Sequence, residues 1–261
     1  MSSDDLEFGQ YINFSIQRRF GIITLNRTHK SNAFTIEQLE FLEKAIKYCQ
    51  QNKKIKGLIL TANGDSFSTG MDLAAVTSYS YEDVKKLETL AAQICELLYN
   101  GKPSICAING RTLGEGVVFL ICCDYRIAIK DSYFQMPEIN SAIFPGTGCI
   151  ILFSKIIGIS WTKKMLLFSE KINTEKALEI GLIDQIVSSK VDLMEAAMDK
   201  VKFLYSKNQT VLNAIKLFSN HLLDKSFKVG YELEKIGSDW YKFENKEEMI
   251  ENLREKFNWK P

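Results

Sequence analysis

The chain is poor in histidine and proline, and it has no long hydrophobic run. Only two of its 261 residues are histidine, and no two of its six cysteines have Cys-x-x-Cys spacing, so the usual ligand patterns of a zinc site are missing. Neither His29 nor His221 stands in a context that indicates a Ser-His-Asp triad. The longest apolar run covers residues 117–123 and is too short to span a membrane.

An excess of charge of either sign is also missing. The 33 basic residues are balanced by 32 acidic ones, so the composition indicates neither a nucleic-acid partner nor a membrane-surface partner. The N-terminus has no hydrophobic leader, and the cysteines mostly stand in apolar stretches. These features predict buried, reduced thiols in a cytoplasmic protein.

Strand-like and helix-like segments alternate through the first two-thirds of the chain. A hairpin is predicted from residues 11–17 and 22–26, with Phe20 and Gly21 near its turn. Further strands are predicted at residues 57–61, 104–108, 125–129 and 185–187, and helices at residues 35–49, 80–99 and 116–123. This alternation predicts an α/β fold with a largely parallel sheet.

Beyond about residue 146 the pattern becomes mostly helical. Amphipathic segments at residues 193–205, 211–223 and 246–257 predict a helical region at the C-terminus. We therefore expect a core over residues 1–195 and a C-terminal helical region over residues 196–261.

A first candidate for chemistry is the turn at residues 66–73. Gly70 permits a tight backbone path that leaves the N–H of Met71 free, and Asp72 would cap the segment that follows. Taken alone, this turn is also what an ordinary strand-to-helix connection looks like.

A second candidate is the turn Gly114-Glu115-Gly116, which leads into an apolar helix. A buried helix N-terminus carries free N–H groups and a positive dipole end, so it favours a developing negative charge on oxygen. The alternative is that the glycines only permit close packing of the helix on a sheet.

A third candidate is Glu138, which follows Pro137. Proline often opens a helical turn, and a carboxylate in a first turn is stabilised by the helix dipole. By itself Glu138 therefore indicates a structural acid rather than a base.

The order and spacing of these pieces resemble the crotonase (enoyl-CoA hydratase/isomerase) superfamily from about residue 11 to the C-terminus. The remaining matching pieces are Lys102-Pro103, Asn109-Gly110, Cys123-Asp124, Pro145-Gly146 and residues 181–183. The resemblance implies a crotonase-like spiral of ββα turns with a C-terminal helical trimerisation region. It also implies a homotrimer or hexamer that takes an acyl-CoA thioester as its substrate and needs no further cofactor.

The resemblance also implies roles for particular residues. Met71 and Glu115 match the two backbone N–H donors of the oxyanion hole, and Glu138 matches a catalytic glutamate. Contacts with coenzyme A are implied for Lys30, Ser31, Ala33, Gly70, Asp72 and Leu73. Such a site would stabilise a thioester enolate, and a glutamate in a cleft of low dielectric has its pKa raised towards the range useful for proton transfer.

One departure from the family concerns Val118. Hydratases of the family hold water between two glutamates, and the first of these falls on Val118, which cannot accept a proton. A shift of a double bond from Δ3 to Δ2 needs one carboxylate, so the sequence favours an enoyl-CoA isomerase. An enoyl-CoA hydratase or dehydratase, and a non-catalytic acyl-CoA binder, remain the alternatives.

A second departure is Glu115, which carries a side chain where the family usually has glycine. Its carboxylate would act as a second acid, repel the enolate, or turn away into a surface salt bridge. The surface orientation is our first expectation, because the family geometry directs only the N–H at the ligand.

Overall fold

The computed structural model of the chain describes residues 8–221 together with Glu248 and Glu251. Its larger sheet has six strands, in the order β1, β2, β3, β5, β7, β10. They are β1 (Ile12–Gln17), β2 (Phe20–Leu25), β3 (Gly57–Ala62), β5 (Ser104–Ile108), β7 (Tyr125–Ile129) and β10 (Gln185–Val187). Only β1 runs antiparallel to its neighbour, so the predicted largely parallel sheet is confirmed.

The predicted hairpin is β1–β2, but its turn lies earlier than expected. The two loop residues are Arg18 and Arg19, both with positive φ, which matches the right-handed twist of the flanking strands. Phe20 and Gly21 belong to β2 instead, where they pair with Gln17 and Ile16.

A second, smaller sheet was not predicted from the sequence. It has the order β4 (Ser66–Ser68), β6 (Arg111–Leu113), β8 (Tyr133–Gln135) and β9 (Ile172–Asn173). Strands of two or three residues are too short to show a hydrophobic period, which explains why they were missed. Each of the first three follows or precedes a strand of the large sheet, as in a spiral of ββα turns.

The helices surround these sheets. They are α1 (Ile36–Gln51), α2 (Leu73–Val76), α3 (Tyr81–Asn100), α4 (Glu115–Ile121), α5 (Cys149–Ile156), α6 (Gly158–Leu167), α7 (Thr174–Glu179), α8 (Lys190–Tyr205) and α9 (Gln209–His221). Thr35 and Ser80 cap α1 and α3 through reciprocal capping boxes with Gln38 and Asp83, which satisfy backbone donors that a helix start leaves unpaired.

The large sheet is covered on both faces. On one face α1, α3 and α4 enclose the main core, which includes Leu39, Ile94 and Phe119. On the other face α8 packs Leu193 and Ala197 against the strands. Helix α4 is buried along its whole length, so it forms the centre of the molecule rather than a surface element.

The C-terminal prediction is only partly covered by the described residues. Two of its amphipathic segments correspond to α8 and to α9, which is described as far as His221, whereas the segment at residues 246–257 lies outside the described range except for Glu248 and Glu251. The division between residues 195 and 196 would fall inside α8, and the division itself stays a prediction.

All six cysteines are buried and free, as the sequence predicted. Within the described part of the chain, no helix is both long and apolar enough to cross a membrane.

The central place of α4 generates a stability prediction. Phe119 is fully buried and contacts Phe34, with ring centroids 5.2 Å apart. We expect Phe119→Ala to lower the free energy of unfolding by about 3–5 kcal/mol, because it removes buried area and leaves a cavity. Urea denaturation measures this, with the exposed Tyr81→Ala as control. A loss of the same size in both variants would contradict the assignment of α4 to the core.

Candidate active site

The first predicted oxyanion donor, Met71, is positioned by a bridge between two loops. Phe34 N–H donates to the Gly70 carbonyl at 2.8 Å, and Asp72 N–H donates to the Phe34 carbonyl at 2.8 Å. In such a parallel bridge the residue between the two bonds directs its own N–H to the opposite side. Met71 is that residue, so its N–H faces away from Phe34.

The second donor lies at the start of α4. Glu115 is the first residue of this helix and follows Gly114, which has φ 51° and ψ −126°. The first N–H groups of a helix have no partner within it and lie at the positive end of its dipole. The N–H of Glu115 is therefore available to an incoming oxygen.

A glycine at position 70 lets these two turns approach each other. A methyl group added to Gly70 would lie 3.2 Å from the Glu115 nitrogen and 3.0 Å from the Leu113 carbonyl oxygen, and its φ is +79°. Any side chain here would both strain the backbone and separate the two turns. The structure thus brings the predicted N–H groups of Met71 and Glu115 together.

Glu138 reaches the same place from a third element. It opens a 3₁₀ helix (Glu138–Ser141) directly after Pro137, and a methyl group added to Gly114 would lie 2.7 Å from its Oε1. Its Oε2 is buried and has no hydrogen-bond partner among the described residues. Burial raises the pKa of Glu138 above its ordinary value. A buried carboxylate oxygen without a partner and with a raised pKa marks Glu138 as a candidate functional group.

These groups share one cavity of about 230 Å³. Its lining includes the predicted residues Gly70, Met71, Leu73, Glu115 and Glu138. Val76, Ser141, Ile143 and Phe144 also line it. A larger groove of about 850 Å³ lies between the sheet and α9, but it holds none of these groups.

The expected surface orientation of Glu115 was wrong. Its side chain is buried: the Thr147 hydroxyl donates to Oε2 at 3.4 Å, and the Cys95 thiol lies 3.9 Å from Oε1. The reason is that all residues of α4 are buried, so the side chain of its first residue lies in the interior rather than at the surface.

This burial changes the charge of Glu115. Loss of hydration, with the charge of Glu138 as a smaller contribution, raises the pKa of Glu115 to about 8, although the hydrogen bonds from Thr147 and Cys95 oppose the shift. A pKa of about 8 means that the Glu115 carboxyl is mostly protonated at pH 7.

Of the residues expected to contact coenzyme A, Gly70 and Leu73 line the cavity. Lys30, Ser31 and Ala33 lie in a neighbouring loop that is hydrogen-bonded to the turn before Gly70. Lys30 is exposed, and Ala33 is buried. The Ser31 carbonyl accepts from Thr69 N–H at 3.2 Å, which ties this loop to the oxyanion turn. Lys30, Ser31, Ala33 and Asp72 do not line the cavity itself.

Two arginines that the sequence reasoning missed hold this arrangement. Arg27 pairs with Asp72 at 2.7 Å and donates to the Ala33 carbonyl, while Arg111 donates to Ser31 Oγ at 2.9 Å. Asp72 also caps α2, as predicted, by accepting from Ala75 N–H. No local pattern indicates either arginine, since Asp72 lies 45 residues from Arg27 and Ser31 lies 80 residues from Arg111.

Among the described residues, no group of three or more His, Cys, Asp or Glu side chains could hold a metal ion. The cavity lining carries the carboxyl groups of Glu88, Glu115 and Glu138, and the turns at Gly70 and Gly114 present the N–H groups of Met71 and Glu115.

Comparison with known proteins identifies the family of this chain. The model of the enoyl-CoA hydratase/isomerase family matches residues 15–260. The crotonyl-CoA hydratase of Syntrophomonas wolfei is 29% identical over 206 residues, which cover 78% of this chain and 79% of the relative. The short-chain-enoyl-CoA hydratase of Clostridium acetobutylicum is 27% identical over 225 residues, covering 84% and 85%.

Solved structures show the same fold. An enoyl-CoA hydratase from Bacillus anthracis superposes with a TM-score of 0.85 at 24% identity and covers 95% of this chain and 97% of its own. Pseudomonas aeruginosa DspI superposes with a TM-score of 0.85 at 23% identity over the whole of both chains. At these identities the likeness establishes the fold, and it confirms the predicted crotonase-like α/β architecture.

The buried acid generates a pH prediction. Between the ordinary value of 4.5 and about 8, the unfolded chain releases the Glu115 proton while the folded chain keeps it, so the free energy of unfolding falls as pH rises. Above about 8 both states are ionised and this loss levels off.

We expect Glu115→Gln to lack this loss, so the stability of the variant relative to wild type increases across that window. Urea denaturation at several pH values measures it, with Glu175→Gln, an exposed first-turn acid of α7, as control. A difference that is constant with pH would show that Glu115 is not a perturbed acid.

Proposed function

We propose that this chain, which belongs to the enoyl-CoA hydratase/isomerase family, shifts the double bond of an enoyl-CoA thioester from Δ3 to Δ2. That the chain is an acyl-CoA enzyme of hydratase/isomerase type follows from the family itself. The choice of reaction within that type, and the role of each residue, are our proposal.

The observation that carries the proposal is the position of Glu138. Its Oε2 is buried and unpaired, and it shares a cavity with the turns that present the N–H groups of Met71 and Glu115. A thioester carbonyl between those donors would place the C2 hydrogen within reach of the carboxylate. Glu138 takes this proton, and the N–H groups stabilise the enolate oxygen, an effect worth several kcal/mol in such sites.

The apolar wall at Val118 supports isomerisation over hydration. Val118 lines the cavity and is 2% exposed, and it presents no oxygen to hold a water molecule at the position where hydratases of the family have a glutamate. Moving a double bond needs no water, so Val118 does not impede it. Asp72, Leu73 and the loop of Lys30, Ser31 and Ala33 would receive the coenzyme A portion.

We expect Glu138→Gln to lower the turnover of 3-enoyl-CoA by about 10²–10⁴-fold, because the amide cannot accept the C2 proton. Acyl-CoA binding persists, since the backbone donors are unchanged. The ultraviolet absorbance of the conjugated thioester measures turnover, and isothermal titration calorimetry measures binding, with Glu175→Gln as control. Unchanged turnover in Glu138→Gln would remove Glu138 from the mechanism.

Binding by wild type without turnover of any enoyl, hydroxyacyl or malonyl thioester would instead favour a non-catalytic binder.

A second candidate function is hydration of a 2-enoyl-CoA, favoured by two specific observations. The Glu115 carboxyl lies inside the cavity, and both relatives described above are named hydratases. Water addition to crotonyl-CoA distinguishes the two functions: hydration that is faster than the double-bond shift, and that is lost in Glu115→Gly, would favour this second candidate.

A further inference from the structure

Glu115 and Glu138 approach the cavity from different elements, and each has a different environment. The carboxyl of Glu115 is held from two sides, by Cys95 on α3 and by Thr147 in the segment before α5. The Oε2 of Glu138 has no such holder among the residues that the structure describes. One carboxyl is therefore fixed in orientation, and the other has an oxygen left for a ligand.

Glu115 stands on the same helix as Val118, the position at which the acid of the family pattern is missing. Glu115 and Val118 are three residues apart, so they lie on one face of the helix, and both line the cavity. The side chains of Glu115 and Val118 therefore belong to the wall of one cavity.

Every titratable group that faces Glu115 disfavours its ionisation or is itself uncharged. The hydrogen bond with Cys122, together with burial, raises the pKa of Cys95 on α3, and burial raises the pKa of Cys149 on α5, so both remain thiols. The charge of Glu138 raises the pKa of Glu115, and Glu88 on α3 adds a further acidic group to the cavity wall. No lysine or arginine lines this cavity among the described residues.

We propose that the side chain of Glu115 is a second catalytic group, which donates a proton to the acyl chain while Glu138 removes one. This rests on the proposed function. Paired carboxyl groups whose surroundings separate their protonation states divide acid and base roles in this manner. The Glu115 backbone N–H keeps its separate task at the thioester oxygen.

The proton transfers balance as follows. Glu138 carboxylate takes the proton from C2 of the 3-enoyl thioester, and the C–H electron pair forms the enolate. The C3–C4 π electrons of this enolate then bond to the proton of the Glu115 carboxyl, so that C4 gains a hydrogen. In the same step the C2–C3 double bond forms and the enolate oxygen becomes the thioester carbonyl again. Glu138 is left protonated and Glu115 ionised, and a proton passing from Glu138 to Glu115 through solvent completes the cycle.

Two substitutions at position 115 test this role. We expect Glu115→Gln to lower kcat for 3-enoyl-CoA by at least about 100-fold with little change in acyl-CoA binding, because the amide keeps the shape and the N–H but has no acidic proton. Glu115→Gly, which restores the family's usual residue, is expected to lose activity as well. Full or increased turnover in either variant would overturn the proposal, since Glu115 would then be only an intruding side chain.

Hydrogen exchange separates the two carboxyl groups. A saturated acyl-CoA in deuterium oxide exchanges its C2 hydrogen through Glu138 and the N–H donors without any delivery at C4. We expect Glu115→Gln to keep this exchange and Glu138→Gln to lose it. Loss of exchange in folded Glu115→Gln would assign Glu115 a general structural role and overturn the proposal.

The pH profile supplies a readout that packing alone would not change. Activity is expected to fall as pH rises through about 8, where Glu115 ionises. Thr147→Val removes a hydrogen bond to the ionised form, so the falling limb should move to higher pH, whereas Thr147→Ser should leave it in place. An unmoved limb in Thr147→Val would count against Glu115.

The outcomes for the proposed function and for this inference are distinct. A wild-type chain that does not convert 3-enoyl-CoA overturns both, while wild-type conversion that survives in Glu115→Gln overturns only the role of Glu115.

Discussion

The close approach of two backbone turns is the constraint on which the rest of this structure depends. The oxyanion turn around Gly70 meets the start of α4 so closely that a methyl group on Gly70 would lie 3.2 Å from the Glu115 nitrogen. This contact is possible because Gly70 and Gly114 adopt positive φ. Hydrogen bonds of Phe34 with Gly70 and of Ser31 with Thr69, and the ion pair of Arg27 with Asp72, hold the neighbouring loop against the turn. The large sheet and α4 supply the rigid support that fixes both N–H groups before any ligand arrives.

Burial of α4 then decides the chemistry of its first residue. An acid at the start of an exposed helix would be ionised and stabilised by the helix dipole. At Glu115 the loss of hydration outweighs that effect, and the carboxyl stays protonated near neutral pH. The cavity thus combines a protonated acid with Glu138, whose oxygen is unpaired. The same burial destabilises the folded state when Glu115 is ionised. The raised pKa of Glu115 and the loss of stability at high pH therefore have one cause.

Much of the fold could be predicted from local patterns. The strands of the large sheet and helices α1 and α3 follow from the hydrophobic period. The hairpin turn was predicted two residues too late, because two consecutive arginines do not indicate a backbone with positive φ. The small sheet was missed since its strands have at most three residues, and their pairing depends on contacts distant in sequence.

The sequence by itself determined the family resemblance, and it predicted two oxyanion positions, a single glutamate at 138 and the replacement of an acid by Val118. These rest on residue type, order and spacing, which a sequence displays directly. Only the tertiary structure decided where the Glu115 side chain points and whether it is charged. Direction and ionisation depend on Cys95, Thr147 and Glu138, which lie at least 20 residues away along the chain and meet Glu115 only after folding removes water from the cavity.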